Sequence, residues 1–322
     1  MKKVLILGVN SYIGTSFQNY VGKNYAEEFC VDKVSLRDDA WKTMDWSGYD
    51  SIINVTGKAH ADIGGLSEQQ KAEYYKVNCE LACEAYKKAI RDGVAQYIYL
   101  SSIIVYGDSS NSRKPVVITR DTKPSPSNFY GDSKWQAEQR LERVFETEGG
   151  VTGQAMPLAG VNGRTRLAII RPPMIYGAGC KGNYQTLRKM AGKLPVFPDY
   201  RNERSMLYIG NLCEFMRLLI VNGDGGLFFP QNQEYVKTAE LVRLIGERQC
   251  KRIVCLRLLA PAVAAGKLVP GKIGGLVRKA FGSLVYEKNM SEYQRGVYQR
   301  YSLRESVEET EEGKFIYSRD LL

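Results

Sequence analysis

VLIL at residues 4–7 runs directly into GVNSYIG at residues 8–14. A short apolar run, a tight glycine turn and a helix start form a unit suited to a dinucleotide pyrophosphate. Backbone N–H groups and the positive end of the helix then face the phosphates. The pattern is G-x-x-G-x-x-G with Ser11 in place of the middle glycine. That serine weakens the argument for close backbone approach, although its hydroxyl can itself donate to a phosphate. Gly8, Asn10, Ser11, Tyr12, Ile13 and Gly14 are therefore expected at a nicotinamide cofactor.

Working outward, a second strand is expected over 33–36, followed by Arg37, Asp38 and Asp39. An acidic side chain at this strand end suits the free ribose hydroxyls of NAD, and an arginine suits the extra phosphate of NADP. The reading places Arg37 there, or Ser35 if the register slips by two. Neither is a carboxylate, so NADP(H) is favoured over NAD(H), which would need Asp38 or Asp39 to curl back. In MDWSGYDSIINVTGKAH (44–60), Asp45 and Trp46 are expected at the adenine and 51–55 as a buried strand. Val55, Thr56 and Gly57 would then lie beside the cofactor at the carboxyl edge of the sheet. A long helix over 67–92 carries Asn78, a further expected cofactor contact.

The chemistry is carried by residues 101–134. QYIYL (96–100) reads as a buried strand, so Ser101 and Ser102 of SSIIVYG (101–107) sit where it ends. YGDSK (130–134) opens an amphipathic helix running to about residue 147, with Tyr130 and Lys134 one turn apart on one face. Free tyrosine, with a pKa near ~10, carries protons poorly at neutral pH. A nearby cation favours its phenolate, and a serine hydroxyl can bond the same substrate oxygen. Such a group moves a proton to or from an alcohol while a hydride arrives at or leaves its carbon.

Residues 149–166 are glycine-rich and aperiodic, and read as an exposed inserted loop before a strand over 167–170. Arg171-Pro172-Pro173 ends that strand, and Pro173 is expected to touch the cofactor. A dinucleotide-binding domain is expected over 1–173, with 204–230 returning to it. Residues 174–203 and 231–322 then form a substrate lobe. The expected fold is α/β: a Rossmann-type doubly wound parallel sheet with a smaller, mostly helical C-terminal substrate lobe.

Composition narrows the function. The chain has 322 residues, 44% hydrophobic and 25% charged, an ordinary globular mix. Met1-Lys2-Lys3 leads straight into a strand rather than a signal peptide. Seven cysteines without a C-x-x-C pair suit a reducing cytosol, so a cytoplasmic protein is expected. The single histidine, His60, argues against a histidine-based metal site. The net charge of +10 is scattered without a nucleic-acid motif, so a small anionic ligand is expected and nucleic acid is not. Residues 253–271 are apolar but interrupted by Arg257, Lys267 and two prolines, so no membrane insertion is expected. The basic, apolar stretch 267–279 is expected to pack as outer helices of the small lobe, with a membrane-surface contact as the other reading.

Strand–GVNSYIG–helix, SSIIVYG, YGDSK and RPPMIYG, in this order, resemble the extended short-chain dehydrogenase/reductase family over nearly the whole chain. NVTGKAH, KGNY, NERSMLYIGNL and FGSLVYEK are similar to its bacterial nucleotide-sugar epimerase and ketoreductase branch, which serves surface-polysaccharide synthesis. The resemblance implies Ser102 as the catalytic hydroxyl and Tyr130 as the acid/base. It implies that Lys134 lowers the tyrosine pKa and holds the nicotinamide ribose. It also implies a UDP-sugar substrate, with Asn183, Phe197 and Arg204 at the nucleotide and Lys58 and His60 near the sugar, and a homodimer through the two long helices. The family's dehydratases place an acidic pair after the catalytic hydroxyl. Here Ile103 and Ile104 follow Ser102, so dehydration is not expected. Reduction of a 4-keto UDP-sugar is the favoured reading and 4-epimerisation of a UDP-hexose with retained NAD the alternative. A non-catalytic cofactor sensor is disfavoured because both Tyr130 and Lys134 are present.

Overall fold

A computed structural model describes residues 1–58, 67–107, 115–149 and 165–313. The first half runs β1 (Lys2–Leu7), α1 (Tyr12–Asn24), β2 (Phe29–Val34), α2 (Ala40–Thr43), β3 (Ser51–Asn54), α3 (Glu68–Tyr75), α4 (Leu81–Arg91) and β4 (Gln96–Leu100). It continues with β5 (Val116–Ile118), α5 (Phe129–Val144) and β6 (Arg166–Ile170). The second half runs β7 (Met174–Tyr176), α6 (Asn183–Lys193), β8 (Val196–Pro198), β9 (Met206–Tyr208), α7 (Ile209–Asn222), β10 (Gly226–Phe228) and α8 (Thr238–Arg248). Then come β11 (Val254–Leu256), α9 (Ala260–Leu268), α10 (Gly271–Phe281), β12 (Leu284–Tyr286) and α11 (Leu303–Glu311).

Six strands form one parallel sheet in the order β10-β6-β4-β3-β1-β2. Successive side chains point to opposite faces, and both faces are covered. Ile6, Ile53, Ile98 and Ala168 pack on the side of α1 and α7. Leu5, Ile52, Tyr97, Tyr99 and Ile169 pack on the side of α4 and α5. Because β1 lies between β2 and β3, the winding reverses between β1 and β3, and the crevice at their carboxyl ends is where such sheets bind ligands.

Three local differences from the expected elements have physical causes. The second strand lies at 29–34 rather than 33–36, because β1 pairs Lys2 with Phe29 through to Leu7 with Val34. Leu36 is buried as a loop residue beneath the sheet. The helix expected over 67–92 is α3 and α4 joined by a π turn at Lys76–Glu80, which holds Asn78. The helix after Tyr130 likewise ends in a π turn, Phe145–Gly149. His60 and most of the expected insertion at 149–166 lie outside the described residues. Among the described residues no helix is long and apolar enough to cross a membrane.

Candidate active site

Three residues converge at the carboxyl ends of β4 and β3. After Leu100 the chain keeps pairing for one more residue, with Ser101 N–H donating to Ile170 C=O at 2.8 Å. Ser102 is extended (φ −165°, ψ 154°) and caps the short 3₁₀ turn Ile103–Tyr106, its Oγ accepting from Ile104 N–H at 3.3 Å. The start of α5 is held by Asn128, whose Oδ1 accepts from Gly131 N–H at 2.9 Å. A Cβ on Gly131 would lie 2.8 Å from Ile104 C=O, so only glycine lets α5 rest directly on the 3₁₀ turn. That contact brings Tyr130, the neighbour of Gly131, into hydrogen-bonding reach of Ser102.

Lys134 follows one turn later and is buried. Its Nζ donates to Leu100 C=O at 2.8 Å and lies 4.7 Å from the Tyr99 ring centroid. Burial pulls its pKa from 10.5 down to about 8, with Glu138 opposing the shift. Burial pushes the Tyr130 phenol up to about 12, against the hydrogen bond from Ser102. The ammonium is engaged by Leu100 C=O and the Tyr99 ring. A phenol at about 12 is a proton donor at neutral pH.

The expected cofactor residues divide into two sets. Gly8 (φ +122°) lies against Val55 and Thr56, where an added Cβ would come within 3.4 Å of both side chains. A Cβ on Gly14 would meet Ile6 at 2.8 Å and Val55 at 3.2 Å, so α1 starts flush against the sheet. Ser11 caps α1, accepting from Gly14 N–H at 3.4 Å, and Asn10 is exposed in the turn. Thr56 Oγ1 donates to Leu7 C=O at 2.9 Å. Asn78 is fully buried and accepts from Lys58 N–H at 2.8 Å. Its amide donates to Ser133 Oγ at 2.9 Å. A Cβ on Gly57 would sit 3.2 Å from both Asn78 Oδ1 and Lys134 Nζ, which joins this crevice to the catalytic residues. The Tyr12 hydroxyl is buried without a hydrogen-bond partner, beside Gly177. A glycine cradle at a helix start, continuous with Gly57 and Lys134, fits a dinucleotide. Pro173 is buried just beyond β6, while Pro172 C=O accepts from Ile103 N–H at 2.9 Å.

The second set lies elsewhere. Trp46 is fully buried, stacked on Trp41 at 5.8 Å, and its backbone N–H donates to Asp92 at 3.0 Å. Asp92 ends α4 just before β4, so Asp45 and Trp46 stand at the amino edge of the sheet, opposite the crevice. The adenine contact expected of them is corrected on that ground. At the β2 tip the two-residue slip holds: Ser35 follows the strand and its Oγ accepts from Arg37 N–H at 3.1 Å. Asp38 accepts from Ala40 N–H at 3.1 Å and Asp39 pairs with Lys42 at 2.9 Å.

Of the expected substrate residues, Lys58 pairs with Glu73 and lies 5.7 Å from the Tyr74 ring centroid. Asn183 is partly buried at the start of α6. Arg204 donates to Lys279 C=O from Nη1. Phe197 is fully buried against Phe281 at 5.6 Å, so its side chain belongs to the lobe's core and is withdrawn as a substrate contact. A cavity of about 770 Å³ in the small lobe is lined by Tyr200, Asn202, Tyr235, Lys237 and Arg257. It does not include the Ser102–Tyr130–Lys134 group.

Sequence reasoning missed what lies behind that group. Glu138, one turn beyond Lys134 and fully buried, forms a two-point ion pair with Arg171 at the end of β6, Nε donating at 3.0 and 3.1 Å. Ser101 Oγ donates to the same carboxylate. Arg171 also reaches the Tyr106 hydroxyl and lies 5.5 Å from the Trp135 ring centroid. The signal was available as a glutamate in register with Tyr130 and Lys134 at helical spacing.

The pattern of the "NAD dependent epimerase/dehydratase family" matches residues 4–228. The chain belongs to that family. The match and the relatives below mark an enzyme of the extended short-chain dehydrogenase/reductase type. One relative is an N-acetyl-alpha-D-glucosaminyl-diphospho-ditrans,octacis-undecaprenol 4-epimerase of Escherichia coli O157:H7. It is 28% identical over 241 residues, covering 69% of this chain and 64% of the relative. A UDP-glucose 4-epimerase of Vibrio cholerae is 27% identical over 201 residues, 60% of this chain and 55% of the relative. The chain thus spans less than two thirds of the length of either. In fold it matches the UDP-N-acetylglucosamine 4-epimerase from Bacillus cereus with a TM-score of 0.69 at 12% identity, covering 97% of this chain and 98% of that one. It also matches a dTDP-4-dehydrorhamnose reductase from Bacillus anthracis in complex with NADP, with a TM-score of 0.64 at 17% identity, over 96% and 98%.

Proposed function

We propose that the protein reduces the 4-keto group of a UDP-sugar, with NADP(H) as the cofactor and Tyr130 as the proton donor. The observation that carries the reading is the contact between Tyr130 and Ser102 at the end of β4. Burial raises the phenol to about 12, so it stands protonated beside the serine, ready to donate to a nascent alkoxide. A bound nicotinamide would supply the hydride to the carbonyl carbon. Ser102 and Tyr130 would hold the carbonyl oxygen, and Tyr130 would pass its proton to that oxygen as the alcohol forms. Lys134, in reach of Gly57 and Asn78, would hold the ribose side of the cofactor and return charge balance to the phenolate. The β2 tip supports NADP(H). Asp38 and Asp39 are tied to Ala40 and Lys42, leaving Ser35 and Arg37 as the side chains beside a 2′-phosphate. A homodimer through α3–α4 and α5 is part of this reading.

The two curated relatives favour a second reading, 4-epimerisation, in which Tyr130 first accepts the proton and NAD⁺ is retained between turnovers. The substrates in their names also differ in the carrier beyond the sugar diphosphate, uridine in one and undecaprenol in the other. Denaturing the freshly purified protein and identifying the released nucleotide separates the readings. An empty protein, or one carrying NADP(H), supports the reductase, with a UDP-4-keto sugar as the first substrate to assay. Near-stoichiometric NAD⁺ overturns it in favour of the epimerase.

A further inference from the structure

Helix α9 turns its one charge inward beside Val263 and leaves apolar side chains outside. A surface helix normally turns its apolar stripe to the core and its charges to water. In α9 (APAVAAGKL) the single charged side chain, Lys267, is turned inward and only 8% exposed. Its Nζ lies 3.4 Å from the Tyr200 hydroxyl and 5.2 Å from that ring's centroid. Pro261, Ala262, Ala264, Ala265 and Leu268 face outward instead. The apolar surface continues on both sides of the helix. Leu258, in the turn before it, is 87% exposed, and Leu276 on α10 is 67% exposed. α9 and α10 form one hairpin, stitched by Arg278 Nη1 donating to Lys267 C=O at 2.6 Å and by Gly266 resting on Val277.

Along the sequence the charge of this segment has one sign, although in space Arg257 is paired with Asp199. From residue 250 to residue 286 the sequence holds seven lysines and arginines and no aspartate or glutamate, which accounts for seven of the chain's ten net positive charges. Lys251, Arg252, Arg257 and Lys279 are exposed on this segment, Arg257 against Asp199 and Lys251 on Gly192 C=O. Two copies of such a face would meet with like charges opposed, which disfavours a second copy of this chain as the cover. Nucleic acid suits the charge but not an aliphatic centre. An aliphatic centre flanked by a net excess of basic side chains complements a bilayer surface bearing anionic headgroups.

We propose that the α9–α10 hairpin docks the protein on an anionic phospholipid surface. Leu258, Leu268 and Leu276 enter the headgroup region, and the surrounding lysines and arginines meet the phosphates. The end of α10 is tied to the segment after β8, with Arg204 donating to Lys279 C=O. The inference holds for reductase and epimerase alike, and its test uses no substrate.

The test is flotation of the full chain with vesicles of phosphatidylglycerol in phosphatidylcholine, against phosphatidylcholine alone. The wild type should float with the anionic vesicles only, and less so as salt is raised. A Leu258→Asp/Leu276→Asp variant should bind at least tenfold more weakly while melting as the wild type does, since both side chains are exposed. Equal binding by the variant, or no binding of the wild type to anionic vesicles, overturns the proposal. So does a wild-type dimer in light scattering that the variant converts to monomer without any lipid binding, because a second copy would then be the cover.

Discussion

Among the described residues Lys88, Lys134 and Lys267 are buried on helices; Lys88 is paired with Asp92, and the other two burials, in α5 and α9, mean opposite things. In α5, Lys134 is drawn under the sheet edge to Leu100 C=O and the Tyr99 ring, and the outward face carries Gln136, Gln139 and Arg143. In α9, Lys267 rests on Tyr200, and the outward face is aliphatic. The first lysine shares a crevice with Gly57 and Asn78, one turn from Tyr130, the site of the proposed reaction. The second faces no catalytic group, and what it does is clear the opposite face of charge. A buried lysine therefore marks chemistry only when other functional groups share its cavity.

The comparison breaks most sharply at Tyr130. Tyr130→Phe removes the proton donor while keeping the ring, so turnover of a 4-keto sugar nucleotide should fall by about 10²–10⁴-fold. Loss of nicotinamide absorbance at saturating substrate measures it, and full turnover in the variant would end the assignment of the triad. Next in size is Glu138. Glu138→Leu strands Arg171 in a dry site and should cost about 3–5 kcal/mol in denaturant unfolding. A loss under 1 kcal/mol would show that Arg171 finds water and that the pair does not brace α5 against β6.

Much of this was legible in the chain because it is local. The glycine turn, the serine pair after QYIYL and the Tyr130–Lys134 spacing each depend on residues within a few positions of one another. What was misread depends on long-range register or burial. Trp46 sits in a plausible loop for an adenine contact, yet pairing of Asp50 N–H with Lys3 C=O pins its loop to the amino edge of the sheet. The β2 tip was displaced because β1, not local propensity, sets where that strand stops. Phe197 was placed by resemblance at the nucleotide, but β8 pairs with β11 and delivers its ring to Phe281. Glu138–Arg171 joins residues 33 apart; helical spacing from Lys134 points to the glutamate, but nothing local points to its partner.

The smallest effects compare the two lysines directly. Lys134 has its folded pKa lowered to about 8 from an ordinary 10.5. Between those values the unfolded chain binds more protons than the folded one, so stability rises with pH there. Below about pH 8 the full cost of burying the charge is present, and above 10.5 it is gone. Lys134→Met should therefore stabilise the protein at pH 7 by about 2–3 kcal/mol while abolishing turnover. That gain should shrink as urea midpoints are taken from pH 8 towards pH 10.5. Lys267→Met loses only its contact with Tyr200 and should change stability by about 0.5–1 kcal/mol, with turnover intact. A stability gain at Lys134 that ignores pH would mean the lysine is solvated and the cleft open. Loss of turnover at Lys267 would mean the small lobe couples to the triad, and the contrast between the two helices would collapse.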